Sequence, residues 1–264
     1  MKEENFIHSK PLIHCITNPI SINQCANAIL AVGARPMMAE HPKEVKEITR
    51  TADSLMLNIG NITDARMEAM PISLREATKK NIPVVLDIVG IACSSLRKSF
   101  VNKLLKEAVP TVIKGNYSEI FALYNEGYSS SGVDADSSLD AEDAERAAVF
   151  LAEKYSAVIL ATGKKDIVTD GERIVYIQNG TEQLSSVTGT GCMLGALCAA
   201  FLASFPPVEA TISACVYLGV CGEMAETDKG NGSFMVNLID KLSTLGKEEI
   251  FKYKNLEEKL WRKN

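Results

Sequence analysis

Hydrophobic and polar positions along this chain switch repeatedly between short continuous apolar runs and stripes of helical period. Pro11 to Asn18 is an apolar run stopped by Asn18 and Pro19, which predicts a short strand running into a loop. Ser21 and Gln24 have capping-box spacing, and Ile22, Cys25, Ala26, Ile29 and Leu30 then recur as one helix face until Gly33. The alternation continues with a strand at Arg35 to Ala39, a helix through Glu44, Val45 and Ile48, and a buried strand from Ser54 to Ile59 ending at Gly60-Asn61. Thr63 or Asp64 caps the next helix, which Pro71 should kink or divide. Pro83 to Asp87, Thr111 to Ile113 and Ala157 to Ala161 are further buried strands. The amphipathic run Ser94 to Glu107, a helix containing Glu119 and an Ala-rich stripe from Ala144 to Tyr155 separate them. Strands alternating with helices in this way predict an α/β fold with a parallel sheet covered on both faces.

Two stretches break the pattern. Asn125 to Asp140 is rich in Ser, Gly and Asp and predicts an exposed loop, with Asp140 capping the helix after it. Asp166 to Thr169 and Arg173 to Gln178, joined by Asp170-Gly171, predict a hairpin, so the sheet should end in antiparallel strands. Val187-Thr188-Gly189-Thr190-Gly191-Cys192 then opens an apolar helix from Met193 to Ser204. Pro206-Pro207 breaks the chain before helices at Val208 to about Asp228 and Ser233 to Leu242, and the tail from Lys247 is charged.

With 264 residues, 46% of them hydrophobic, the chain is long enough for one large core, and a single domain over 1–264 is expected. A net charge of −5 with no Lys/Arg block gives no footprint for nucleic acid or an acidic membrane, which points to a small-molecule partner. The 7 cysteines are odd in number and mostly set in apolar runs, as in a reduced, cytoplasmic protein. None has metal-ligand spacing, and the 3 histidines all precede residue 42, which argues against zinc. Met1 to Asn5 carries acids where a signal peptide carries bases, and Met193 to Ala203 falls short of the roughly 20 residues that span a bilayer.

The candidate chemistry centres on the glycine turn. Its glycines leave successive backbone N–H groups free to face one space at a helix N-terminus, a suitable place for an anion. Cys192 falls in the first turn of that helix, where the dipole favours negative charge on its sulfur. The turn lacks the Gly-Lys-Ser/Thr ending of a phosphate-binding P-loop. A dinucleotide fingerprint belongs after the first strand of a βαβ unit, whereas here a hairpin precedes it. Asp87 ends a buried strand, the end at which parallel sheets bind ligands. Asn116 and Glu119 follow another strand, where Glu119 is either a ligand of a hard cation or an acid that complements the helix dipole.

The ordered set Ile13-His14-Cys15-Ile16-Thr17-Asn18, Pro36-Met37-Met38-Ala39, Leu57-Asn58-Ile59-Gly60, Lys114-Gly115-Asn116-Tyr117-Ser118-Glu119, Ala161-Thr162-Gly163 and Val187 to Cys192 resembles the hydroxyethylthiazole kinases. The resemblance runs from about residue 11 to 245. It implies a ribokinase-like three-layer αβα sandwich, mostly parallel with an antiparallel hairpin at one edge. It also implies ATP-dependent, Mg²⁺-dependent phosphorylation of the hydroxyl of 4-methyl-5-(2-hydroxyethyl)thiazole in thiamine salvage, by a homotrimer with active sites between subunits. By the same resemblance Glu119 and Asp87 organise the metal and Asn116 and Thr162 meet the nucleotide. Lys114 stands where the family usually has an Arg against the phosphates, and offers a point charge without the bidentate fork. Asn18 and Met38 match thiazole contacts, Gly189 a glycine whose backbone lies against the substrate, and Gly191 completes the anion hole.

Cys192 stands where most ribokinase-like kinases have an Asp base, and its expected role is helpful but dispensable, because phosphoryl transfer through a loose transition state needs little base assistance. Rival readings are a sister activity of the fold (hydroxymethylpyrimidine kinase or a nucleotide-dependent NAD(P)H-hydrate dehydratase) and a non-catalytic thiazole- or nucleotide-binding module. A cysteine hydrolase would have to recruit a histidine such as His14 as its base.

Overall fold

A computed structural model describes residues 7, 9–130 and 141–261. The predicted alternation is realised as strands β1 (Leu12–Ile16), β2 (Arg35–Met37), β3 (Ser54–Asn58), β4 (Val84–Asp87), β5 (Val112–Asn116) and β6 (Val158–Thr162). Helices α1 (Ile22–Ala31), α2 (Val45–Thr51), α3 (Asp64–Lys80), α4 (Ser95–Glu107), α5 (Tyr117–Tyr124) and α6 (Ala141–Tyr155) lie between them. Strands β7 (Asp166–Thr169) and β8 (Arg173–Ile177) form the predicted hairpin. The chain then runs through α7 (Glu182–Ser185), α8 (Thr190–Leu202), α9 (Pro207–Glu223), α10 (Asn231–Thr244), α11 (Lys247–Tyr253) and β9 (Leu256–Leu260).

The strands make one sheet in the order β2-β1-β3-β4-β5-β6-β7-β8-β9. Neighbours are parallel from β2 through β6 and antiparallel from β6 to β9. Side chains alternate across a strand, so each strand feeds two cores. Ile13, Cys15, Met56, Val85 and Val112 pack against α1, α8, α9 and α10. Ile16, Leu55, Leu57, Leu86 and Ile113 pack against α2 through α6. This is the three-layer αβα arrangement. Helix α8 is apolar on all sides because it is enclosed by the sheet, α1 and α9. The Ser54 hydroxyl ties it to β3 by donating to the Ala199 carbonyl at 2.6 Å. No helix among the described residues is long and apolar enough to cross a membrane.

Four expectations are corrected. Ser21 starts α1 but makes no side-chain cap. Instead the Asn18 side-chain oxygen accepts from Ile20 N at 3.1 Å and Ser21 N at 3.2 Å, an Asx turn that fixes the loop leading into α1. Pro71 does not divide α3, which continues for 17 residues with Ala69, Met70, Pro71 and Leu74 all buried. Packing on both sides of the proline holds the helix across the one missing hydrogen bond. The glycine turn opens α8 three residues earlier than the apolar run suggested, at Thr190, because Gly189 itself serves as the N-cap. The charged tail holds a ninth strand, and β9 rather than the hairpin closes the antiparallel edge by pairing with β8 from Leu256↔Ile177 to Leu260↔Arg173. The Asp140 cap and most of the predicted loop lie outside the described residues.

Candidate active site

Register builds the floor of the site. Asn58, Asp87 and Lys114 are direct neighbours across β3, β4 and β5 at the carboxyl ends of these strands. Each lies two residues beyond a side chain of the α8-facing core (Met56, Val85 and Val112), so the period of two aims all three at α8. They are buried, and they pair with one another. The Lys114 ammonium donates to both Asp87 oxygens at 3.2 and 3.1 Å, and the Asn58 amide donates to Asp87 Oδ2 at 2.9 Å. Burial pushes the Asp87 carboxyl up, and Lys114 and the Asn58 amide pull it back. For Lys114 burial works against the charge, but the carboxylate beside it prevails and holds the ammonium well above its ordinary value. The result is a buried ion pair with one face toward the α8 N-terminus.

The glycine turn forms the opposite wall. Gly189 has φ +96°, a left-handed conformation that a side chain rarely adopts, and a Cβ there would lie 3.2 Å from Ser21 Cβ. Thr190 steadies the turn by donating its hydroxyl to the Leu184 carbonyl at 2.7 Å. Behind it the first N–H groups of α8 lack intrahelical acceptors, as at any helix start. Gly191 is exposed, and a Cβ built on it would sit 3.8 Å from the Lys114 nitrogen, so the ammonium lies directly beneath the helix mouth. Gly195, one turn on, admits the sheet: a Cβ there would be 2.7 Å from Met56 Cε and 3.3 Å from Asp87 Oδ2. Cys192, half-buried, accepts at its sulfur from the side-chain amides of Asn18 and Asn58, each at 3.3 Å.

A third wall starts where β5 becomes α5. Asn116 and Glu119 form a reciprocal capping box: Glu119 N donates to the Asn116 side chain at 2.9 Å, and Glu119 Oε2 accepts from Asn116 N at 2.7 Å. Glu119 Oε1 accepts from Gly90 N at 2.6 Å. The capping reading of Glu119 is therefore realised, and each oxygen keeps a further lone pair. Burial and then the Asp87 charge push the Glu119 carboxyl up to about 7, against the two main-chain N–H bonds. Gly115 lets Glu119 fold back, since a Cβ on it would lie 2.9 Å from Ile88 and 3.0 Å from Glu119 Cβ. Thr162 pairs in register with Asn116 and reaches the Gly115 carbonyl at 3.4 Å. Gly163 next to it leaves room for the Tyr117 ring, which a Cβ would meet at 2.6 Å.

Asn18, Asp87, Lys114, Gly189, Gly191 and Cys192 are thus brought together, while Asn116, Glu119 and Thr162 flank them on the β5–β6 side. Met38 follows β2 on the other side, half-buried against the same core layer as Cys192. His14 has the opposite parity to Cys15 on β1 and faces away from Cys192; its ring nitrogens bond Thr49 Oγ1 and the Ala39 carbonyl, each at 2.9 Å. It is not available as a base for the thiol. Sequence reasoning did not single out Asn58, although a polar residue ending an apolar strand, as Asp87 does on the next strand, was the available signal.

Residues 4–248 match the hydroxyethylthiazole kinase family. A "Hydroxyethylthiazole kinase 2" from Clostridium botulinum strain Langeland is 46% identical over 254 residues, covering 94% of this chain and 96% of that protein. A solved hydroxyethylthiazole kinase from Pyrococcus horikoshii OT3 superposes with a TM-score of 0.86 at 36% identity, covering 94% of each chain. A ribokinase-like superfamily protein from Enterococcus faecalis V583, at 14% identity and a TM-score of 0.64 over 92% of this chain and 87% of that one, shares the fold.

Proposed function

The chain belongs to the hydroxyethylthiazole kinase family, and from that premise we propose that it transfers the γ-phosphoryl group of ATP to the hydroxyl of 4-methyl-5-(2-hydroxyethyl)thiazole. The observation that carries this reading is the open N-terminus of α8 standing over the buried Lys114–Asp87 pair. A phosphoryl group between them meets main-chain N–H groups of the Gly189–Cys192 turn on one side and an ammonium on the other. Phosphoryl transfer leaves the protein little covalent chemistry and draws mainly on positioning and on electrostatic stabilisation of this kind, fixed before the reaction begins.

In this reading Lys114 binds the nucleotide phosphates, Asn116 and Thr162 line the nucleotide side, and Asn18, Met38 and the Gly189 backbone seat the thiazole. Cys192 assists removal of the hydroxyl proton. Met38 supplies a polarisable thioether for a sulfur-containing ring. Among the described residues no group of three or more His, Cys, Asp and Glu side chains can hold a metal alone. Two buried carboxylates, Asp87 and Glu119, nevertheless fit Mg²⁺, which prefers oxygen and takes most of its ligands from phosphates and water. Held there with the nucleotide, Mg²⁺ would neutralise charge on the phosphates. The family resemblance carries a homotrimer with sites between subunits, and exposed Ile20 and Met37, next to Asn18 and Met38 in the chain, are available for such a contact. Free thiols throughout favour the cytoplasm.

The test is to incubate the protein with MgATP and a panel of thiazole and pyrimidine alcohols and to identify the product by mass. Phosphorylated hydroxyethylthiazole is expected. Phosphorylation of a pyrimidine alcohol alone would favour the sister activity, and binding of thiazole and ATP without transfer would favour a binding module. Light scattering on a size-exclusion column should give about three times the 28.6 kDa chain mass.

A further inference from the structure

We infer that Asn58 is a positioning residue for this transfer: its side-chain amide holds the Cys192 sulfur at the mouth of α8 and joins it to the Asp87–Lys114 pair. The inference rests on the function proposed above.

Every hydrogen-bonding position of the Asn58 amide is used, and the residue is fully buried. Its oxygen accepts from Gly60 N at 2.9 Å and from the Asn18 amide at 3.1 Å. Its nitrogen donates to Asp87 Oδ2 at 2.9 Å and to Cys192 Sγ at 3.3 Å. The orientation is dictated by the surroundings, since a flipped amide would turn its NH₂ against Gly60 N–H and its oxygen against the Asp87 carboxylate. Asn18 is oriented in the same manner, with its oxygen held by Ile20 N and Ser21 N and its nitrogen directed to Asn58 and to the sulfur. Two amides from different strand ends therefore converge on one thiol, and both present hydrogens to it. A strand-end amide with only a structural duty would spend its N–H groups on obligatory buried acceptors. Asn58 commits one of them to a half-exposed sulfur.

The spacing of the sheet explains why this residue does so. Asp87 and Lys114 face α8 from the next two strands, and Gly195 brings the helix down until Asp87 Oδ2 lies 3.3 Å from where a Cβ would be. Asn58 spans the remaining gap between the sheet's charged row and the side chain at the third helical position. Rotation of Cys192 away from the substrate would break two hydrogen bonds, and any shift of Asp87 is passed on to the sulfur.

The test is a double-mutant cycle on kcat with Asn58→Leu, an isosteric side chain that can neither donate nor accept, and Cys192→Ala. Acting through the thiol beyond its bonds to Asp87 and Asn18, Asn58→Leu should lower kcat about tenfold in the wild-type background and only about threefold or less in Cys192→Ala, with the KM for ATP held within about twofold in both. Equal losses in the two backgrounds would overturn the inference, because a residue that merely supports the fold costs the same whether or not the thiol is present. Asn58→Ser, which retains one hydroxyl donor, serves where the leucine variant fails to fold, and should recover part of kcat when both fold. A second readout does not depend on turnover: labelling of Cys192 by iodoacetamide, quantified by peptide mass with exposed Cys93 as internal reference, should slow at least about threefold in Asn58→Leu, since the amide holds the sulfur in the orientation it presents at the mouth of α8. Unchanged labelling would count against the contact even if no alcohol were phosphorylated. Absence of phosphorylation with slowed labelling would instead leave the contact standing and refute the kinase assignment.

Discussion

Cys192 receives two amide hydrogen bonds, yet the wall it belongs to is built mainly of main-chain N–H groups. Cys192→Ala should for that reason retain measurable turnover, reduced by about a hundredfold, the low end of what proton-transfer assistance contributes, because a loose transition state draws little on a base. Complete inactivity of a folded variant in a coupled ADP assay would assign the thiol a larger part. Lys114 is different in kind. Lys114→Met strands the Asp87 carboxylate in a buried position, and removing one partner of such a pair costs about 3–5 kcal/mol, so both turnover and the urea midpoint should fall. The individual residues were legible to unequal degrees. Asp87, Lys114, Glu119 and Cys192 stood at strand ends or a helix start, positions where chemistry gathers in this kind of sheet. Asn58 did not stand out, because its meaning lies in pairing register with Asp87 and in the facing helix, neither of which is written in local spacing.

Helices and strands were mostly readable from period, and the exceptions share a cause: a contact made at a distance. The spacing of Ser21 and Gln24 suggested a cap, but no side chain caps α1, and Asn18, already fixed by Asn58 and Cys192, instead holds the loop that leads into it. β9 sets only Leu256 and Leu260 around three charged residues and is largely exposed, and becomes a strand because β8 offers it an edge. The joint between this edge and α9 is close-packed. A Cβ on Gly219 would lie 2.6 to 2.8 Å from the Cβ, carbonyl oxygen and carbonyl carbon of Asn179. Asn179 in turn donates to Glu223 at 3.1 Å and to the Tyr253 carbonyl at 2.9 Å, and accepts from Asn255 N at 2.7 Å. Backbone atoms yield less than a side-chain tip. Gly219→Ala should therefore destabilise the fold by about 2–3 kcal/mol in urea titration, with kcat at 25 °C unchanged in the folded fraction.

At the scale of the molecule the balance of charge and burial becomes a dependence on pH. Asp166 begins β7 and accepts from Gly163 N at 3.1 Å; burial, working against that bond, pushes its carboxyl from 3.8 up to about 6. The folded state thus holds the proton more tightly than the unfolded chain, and stability is lost as pH rises through that interval. An asparagine in its place could keep the Gly163 bond without carrying charge. The unfolding free energies of wild type and Asp166→Asn should coincide below about pH 3 and separate by about 1 kcal/mol in favour of the variant by pH 8, a figure reduced for the side chain's partial contact with water. A gap that closes with rising pH would contradict this assignment of cost.

The placement of β9 also bears on how the chain is made. Its partner β8 ends at Ile177, about eighty residues before Leu256, and in the interval the chain must lay down three long helices. A ribosome extruding this protein exposes an unsatisfied β8 ladder for several seconds at ordinary synthesis rates. During that time any extended neighbour can occupy it. Chaperone demand should accordingly peak late in translation, and releasing nascent chains before Leu256 emerges should yield soluble aggregates in proportion to the delay.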